Sequence, residues 1–133
     1  MKKTTLNQNG FTIIELMIVI MAIAAISVVA LSNIRSLRAQ DRDALRKRDI
    51  NAVYFQLESF HETNGYYPQA PTVKLLKGID PASLVDNNGK SINQSGSAYV
   101  YTPTGCTDLK CTSYSITAKL EQETPFTKQS LIQ

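Results

Sequence analysis

The segment Phe11 to Leu31, FTIIELMIVIMAIAAISVVAL, constrains this chain more than any other feature. Its 21 residues hold a single charge, Glu15, and two hydroxyls, Thr12 and Ser27. With neither Gly nor Pro to interrupt it, the run reads as a helix, and at 1.5 Å per residue it extends about 31 Å, close to the hydrocarbon thickness of a bilayer. A soluble core helix is disfavoured, because such a helix carries a polar face and this one is apolar all round. A cleaved secretory signal is the stronger rival: Lys2 and Lys3 supply a basic start, and Ala22-Ile23-Ala24 fits a small-x-small cleavage pattern. Against it stand Glu15 near the start of the run and the further apolar stretch Ile26 to Leu31. The rest of the composition narrows the function classes. A chain of 133 residues has the length of one domain, and its single histidine and two cysteines leave almost no material for a His-rich metal site or a Ser-His-Asp triad. The formal charge of +3 does not by itself argue for nucleic acid.

The residues ahead of the run decide between these readings. MKKTTLNQNG is a short polar leader with two lysines, it ends in Gly10, and Phe11-Thr12-Ile13-Ile14-Glu15 follows at once. This order resembles the class III signal of type IV prepilins and of their relatives, the pseudopilins of type II secretion. The resemblance implies that a prepilin peptidase cuts between Gly10 and Phe11 on the cytoplasmic side and methylates the new N-terminal Phe11. It also implies that Glu15 is the acid at the fifth mature position, used in assembly together with Phe11. Physical chemistry points the same way. A carboxylate at the centre of a span costs on the order of 2.5 to 3.5 kcal/mol, less near the interface, so an intramembrane acid is functional by default. Cleavage would create a cation at Phe11, four residues from Glu15 on the same helix face, and in a stack of parallel helices a neighbour's amine could take that place. The plainer alternative, an acid suited to the positive end of the helix dipole, does not explain its setting among Ile, Leu and Met.

Beyond the run the composition changes abruptly. Arg35, Arg38, Arg42, Arg46, Lys47 and Arg48 alternate with Asp41, Asp43 and Asp49, which reads as a water-facing helix supported by local pairs such as Arg38 with Asp41 and Asp43 with Lys47. Nucleic acid or anionic headgroups are alternative partners for this basic stripe; nucleic acid has no further support. The flank after the span is more basic than the leader, so loop charge alone would leave the C-terminal part in the cytoplasm. The processing signal and the cysteines outweigh it. From Ile50 the pattern becomes amphipathic, with Ile50, Val53, Leu57 and Phe60 on one stripe flanked by Tyr54 and Phe55, and Asn64-Gly65 is a helix stop. A helix from about Phe11 to Thr63 would run roughly 80 Å. Gly65-Tyr66-Tyr67-Pro68 also resembles the Gly-x-Tyr-Pro junction of pilins and pseudopilins. His61, with no second histidine, is expected at the surface.

Residues 69–97 read as a turn-rich connecting loop with one short helical turn at Val73 to Lys77. Ala98 to Thr102 and Tyr114 to Leu120 have strand composition, antiparallel partners joined by the cysteine-containing loop, and Phe126 to Ile132 is a weaker third strand. So small a sheet cannot bury both faces, which makes the helical stripe its natural lid. Cys106 and Cys111 lie between two strands, where they can reach disulfide geometry; as zinc ligands they lack two partners. A disulfide implies an oxidising compartment. Three features depart from common members of the resembled family. The cysteine loop is shorter than the disulfide-bounded region of many major pilins, no acidic cluster resembles the calcium site of major pseudopilins, and Ala24 and Ser32 stand where the apolar helix often has Gly and Pro.

The expected fold is therefore α+β and type IV pilin-like, a long N-terminal helix packed against a small antiparallel sheet. The expected organisation is a leader at 1–10, a transmembrane or filament-core helix at 11–31, its amphipathic continuation at 32–64, and a loop-plus-sheet globular domain at 65–133. The expected role is that of a non-enzymatic structural subunit of a type IV pilus or pilus-like filament, with no cofactor and no metal. Its partners would be further copies of itself, prepilin peptidase, the assembly machinery and membrane lipid. It would cross the cytoplasmic membrane once, with the C-terminal domain outside, before joining a surface filament. Two alternatives stay open: a type II secretion pseudopilin or minor pilin, and a single-span extracellular binding protein that never polymerises.

Overall fold

A computed structural model describes residues 10–132. The leader's Lys2 and Lys3 lie outside the described residues. The chain divides into two compact units, one ending at Leu37 and one running from Arg38 to the C-terminus. A single helix, α1 (Ile13–Asn64), contributes to both. It stops where the sequence stops it: Gly65 takes φ +76°, a conformation that costs a glycine nothing, and its N–H donates to the His61 carbonyl at 2.7 Å. The Asn64 side-chain amide donates to the carbonyl of Phe60 at 2.8 Å, satisfying a second end-of-helix acceptor.

The second unit builds its own core. Strands β2 (Tyr99–Thr104), β4 (Ser113–Ala118) and β5 (Phe126–Gln129) form an antiparallel sheet with β4 in the middle, Tyr101 opposite Ile116 and Ile116 opposite Lys128. The alternation along β4 is strict: Tyr114, Ile116 and Ala118 are buried while Ser113, Ser115 and Thr117 are half-buried. A second, two-stranded sheet pairs β1 (Tyr67–Pro68) with β3 (Lys110–Cys111), with Tyr67 opposite Cys111. The stripe of α1 covers this layer, since Ile50, Val53 and Leu57 are completely buried in one cluster with Tyr67, Tyr99, Tyr101 and Ile116. Each such aliphatic side chain contributes about 1.5–3 kcal/mol on burial. The α+β class expected from the sequence is the observed one, a long N-terminal helix with small antiparallel sheets, like the architecture of type IV pilins.

The stretch expected to be a plain connecting loop does more than connect. Leu76, Ile79 and Leu84 from it enter the core. It also contains a 3₁₀ helix, Pro81–Leu84, capped by the Asp80 carboxylate, which accepts the Ala82 N–H at 2.9 Å. Near Val73 the chain makes a turn in which the N–H groups of Leu75 and Leu76 both donate to the Thr72 carbonyl. His61, expected at the surface, is half-buried and stacks on Tyr67 with ring centroids 4.4 Å apart.

The largest correction concerns the charged stretch after the apolar run. Arg35, Arg38, Asp41 and Arg48 are exposed as expected, but Asp43, Arg46 and Asp49 are buried, with 2%, 5% and 9% of their surfaces exposed, so one face of the charged stretch is not solvated. The segment following β4 lies over it. Arg46 donates to Asp43 at 3.2 Å, to the Lys119 carbonyl at 3.2 Å and to Glu121 at 2.8 Å, while Asp43 accepts the backbone N–H groups of Glu121 and Gln122. Arg42 forks onto both oxygens of Glu121, and Lys47 reaches Glu123 at 2.6 Å instead of Asp43. Asp49 accepts the buried Tyr99 hydroxyl at 2.9 Å. Local pairs three or four residues apart are worth only a few tenths of a kcal/mol on an exposed helix; the Asp43–Arg46 pair persists within the cluster, while Lys47 takes its partner from the distant segment. The Arg42 hydrogen bond, reinforced by Arg46, pulls the Glu121 carboxyl down to about 2.

Candidate functional site

The residues singled out for processing and assembly lie at the start of the first unit. Gly10, Phe11 and Thr12 precede the helix in extended or irregular backbone, and all are exposed, Phe11 at 79%. The Gly10–Phe11 peptide bond is therefore outside the helical hydrogen-bond ladder, in the form a peptidase can grip. Thr12 is what starts the helix: its hydroxyl oxygen accepts the Glu15 N–H at 3.3 Å and its carbonyl accepts the Leu16 N–H at 3.2 Å. Sequence reading missed this role, although Thr-x-x-Glu is the spacing of a capping box and was open to view. Glu15 lies in the first helical turn, exposed, and its carboxylate meets no donor among the described residues.

The apolar run has the opposite of a core's environment. Between Phe11 and Leu31, fourteen large apolar side chains are exposed and none falls below 42%. Leaving them in water forfeits on the order of 20–40 kcal/mol relative to burial, which no folded chain in aqueous solution tolerates. The run's hydroxyls are spoken for: Thr12 caps the helix, and the Ser27 hydroxyl donates to the Ile23 carbonyl at 2.8 Å. By length and composition α1 holds a stretch able to cross a membrane. Glu15 is thus the one strongly polar group of the stretch without a partner in the described chain.

The cysteines sit in the second unit. Cys106 and Cys111 are joined by a disulfide, and among the described residues there is no free cysteine. The bond closes a turn in which Thr107 and Lys110 exchange both backbone hydrogen bonds, at 2.8 and 3.0 Å. Through the β1–β3 pairing the same bond ties the chain just after α1 to the sheet layer. A second polar centre is Glu58, whose carboxylate accepts the hydroxyls of Tyr67 at 2.8 Å and Tyr114 at 2.7 Å. Burial first, and then the bond to Glu58, hold both phenols well above the usual tyrosine range. No group of three or more potential metal ligands occurs among the described residues.

Residues 5–31 match the family model of the prokaryotic N-terminal methylation motif. The chain thus carries a class III signal of the prepilin type, which supports a place among the type IV pilins or pseudopilins. The match takes in Gly10, Phe11 and Glu15 and ends with the apolar run; residues 32–133 lie outside it. Comparisons with curated proteins and with solved structures found no match.

Proposed function

We propose that this chain is a structural subunit of a type IV pilus or pilus-like filament. Prepilin peptidase cuts it between Gly10 and Phe11 and methylates the new amine, and the assembly machinery draws the apolar helix from the membrane into a bundle of identical helices. Residues 11–31 form the filament core, 32–64 continue the helix out of it, and 65–133 make up the outer globular domain. The C-terminal part lies outside the cytoplasmic membrane before assembly and on the cell surface after it, in keeping with the Cys106–Cys111 disulfide.

The observation that carries this reading is the methylation motif fused to an apolar helix whose side chains find no cover among the described residues. A bilayer covers them first and neighbouring copies cover them later. In the bundle the Glu15 carboxylate neutralises the Phe11 amine of a neighbouring copy. Losing one partner of a buried pair costs about 3–5 kcal/mol at each contact, far more than its loss costs a lone helix in lipid. Glu15→Gln, expressed as the sole copy, tests this: it keeps the size and removes only the charge. The expected result is processed, folded, membrane-bound subunit and no filaments on electron micrographs. Filaments of normal number and length would rule out the charge pairing. A simple anchored protein would instead be indifferent to the change, or insert better.

A further inference from the structure

The tip of the disulfide-closed loop is built against conformational preference. Asp108 and Leu109 occupy the two central positions of the Thr107–Lys110 turn with φ +49° and +67°. Turns with both central residues in the left-handed region favour Asn-Gly or Asp-Gly, and a bulky side chain at the second position is an outlier. The Leu109 carbonyl accepts the Gln69 N–H at 3.3 Å, but its side chain is 71% exposed and so gains little burial in exchange. A residue that is both conformationally disfavoured and unburied is an observed outlier of the kind that clusters at binding surfaces.

Beside it lies a groove of about 420 Å³, with Leu109 forming one wall and Phe60, Tyr66, Pro68, Ala70 and Leu75 contributing others. Lys110 holds its ammonium 5.0 Å from the centre of the Tyr66 ring at the same groove. Neither Asp108 nor Lys110 forms an ion pair among the described residues.

We propose that this turn and groove dock a second copy of the same chain about a two-fold axis, the Leu109 of each copy entering the groove of the other. Two features select a second copy over other occupants. A projecting apolar residue and an apolar hollow side by side are self-complementary under a two-fold rotation, as an isologous interface requires. The charges are self-complementary as well: Leu109 is flanked by Asp108 and Lys110, so a two-fold axis near Leu109 sets the Asp108 of each copy against the Lys110 of the other. A polyanion or an anionic lipid surface would gain at Lys110 what it lost at Asp108, so this balanced pair does not select it. The disulfide and the paired turn hold Leu109 in place before contact, which lowers the ordering cost of docking. One such patch is small and binds weakly by itself; a surface that displays many copies multiplies it. The inference leans on the filament reading only for that multiplication, because the pairing needs no more than two globular units.

The test uses the full chain reconstituted in phosphatidylcholine vesicles, which display many copies without any filament, and follows clustering by light scattering. Wild-type vesicles are expected to cluster. Asp108→Lys and Lys110→Asp, each alone, are expected to slow clustering at least about tenfold by setting like charges together. An equal mixture of the two single-variant vesicle populations should recover about half the wild-type rate, because half of all encounters pair opposite variants and each then supplies the charge the other needs, and the double exchange should recover the full rate by itself. Leu109→Asn, which suits the left-handed turn, should leave the thermal midpoint unchanged or higher and still abolish clustering. Dispersed wild-type vesicles, single variants that cluster normally, or a mixture that stays dispersed would each overturn the proposal. Filament formation on cells is scored independently, so failure of one reading does not carry the other down.

Discussion

The two ends of α1 give their apolar residues opposite surroundings. From Ile13 to Leu31 every large apolar side chain stands substantially exposed, whereas Ile50, Val53 and Leu57, further along the same helix, have no exposed surface at all. The chemistry of the side chains is the same and the supply of cover is not. The Ile50 stripe meets a sheet and a loop from its own chain, and the unit from Arg38 onward closes on itself with a core and a charged clasp. The described residues of the first unit bring no such partner. One half of the helix is thus legible as structure and the other as function, because its burial must come from lipid or from other molecules.

Substitutions in the two regions should separate them sharply. The largest effect is expected at Asp43→Ala, which strips the buried Arg46 of one carboxylate and leaves the backbone N–H groups of Glu121 and Gln122 unsatisfied. Denaturation of the purified chain in detergent should show a loss of about 3–5 kcal/mol from the second unit. Leu57→Ala follows at about 2–4 kcal/mol, by loss of transfer energy plus a cavity. The same truncation in the exposed half, Ile18→Ala, should leave that stability unchanged, and a comparable loss there would erase the distinction between the two regions. Cys106→Ser comes next, at about 2 kcal/mol or less, since the closed loop is short and its paired turn already holds it shut. Quantitative thiol labelling of unreduced, surface-derived protein should find no free thiol; labelling would also undo the outside placement of the C-terminal domain.

Acid should weaken the second unit through Glu121. The Glu121 carboxyl is held down to about 2 in the folded chain from an ordinary value of 4.5, chiefly by Arg42. A depressed carboxyl stabilises the fold above its unfolded value, and that contribution is lost as pH falls from about 4.5 toward 2. A thermal midpoint followed across that window should decline, and Glu121→Gln should lower the midpoint at neutral pH while flattening the decline. Alkali should act in the other direction. The Tyr67 and Tyr114 phenols are raised in the fold, so the stability they lend is complete below about 10 and fades as pH rises beyond it.

What could be read from the sequence was what lies close together in it. The apolar run, the Gly10-Phe11 junction ahead of Glu15, the stop at Gly65 and the stripe from Ile50 to Leu57 are each specified within a few residues. Strands β2 and β4 were visible for the same reason, as alternating runs on either side of a short loop. The clasp was not. Arg42 and Arg46 find Glu121 across more than seventy residues, and nothing in an i, i+3 or i, i+4 spacing reveals that a later segment will cross the helix there. The two-residue strands β1 and β3 are too short to carry a pattern. Asn93 was hidden too: from a left-handed position, φ +63°, its side-chain amide exchanges hydrogen bonds with the backbone of Tyr101, standing in for a strand at the edge of β2. The capping role of Thr12 was legible in its spacing to Glu15, and the strain at Leu109 was not, because only the closed turn creates it.

In the proposed filament, other copies of this chain cover residues 13–31. One mass measurement tests it on protein sheared from cells without detergent, pelleted as filaments and exposed to peroxide before analysis. Cleavage at Gly10 would remove Met1 and leave Met17 and Met21 as the methionines of the mature chain; in a lone chain they are 58% and 63% exposed. The expected chain begins at Phe11, carries one added methyl group, and keeps both thioethers unoxidised. A chain beginning at Ala25, or one with Met17 and Met21 converted to sulfoxides while the filament is intact, would contradict it.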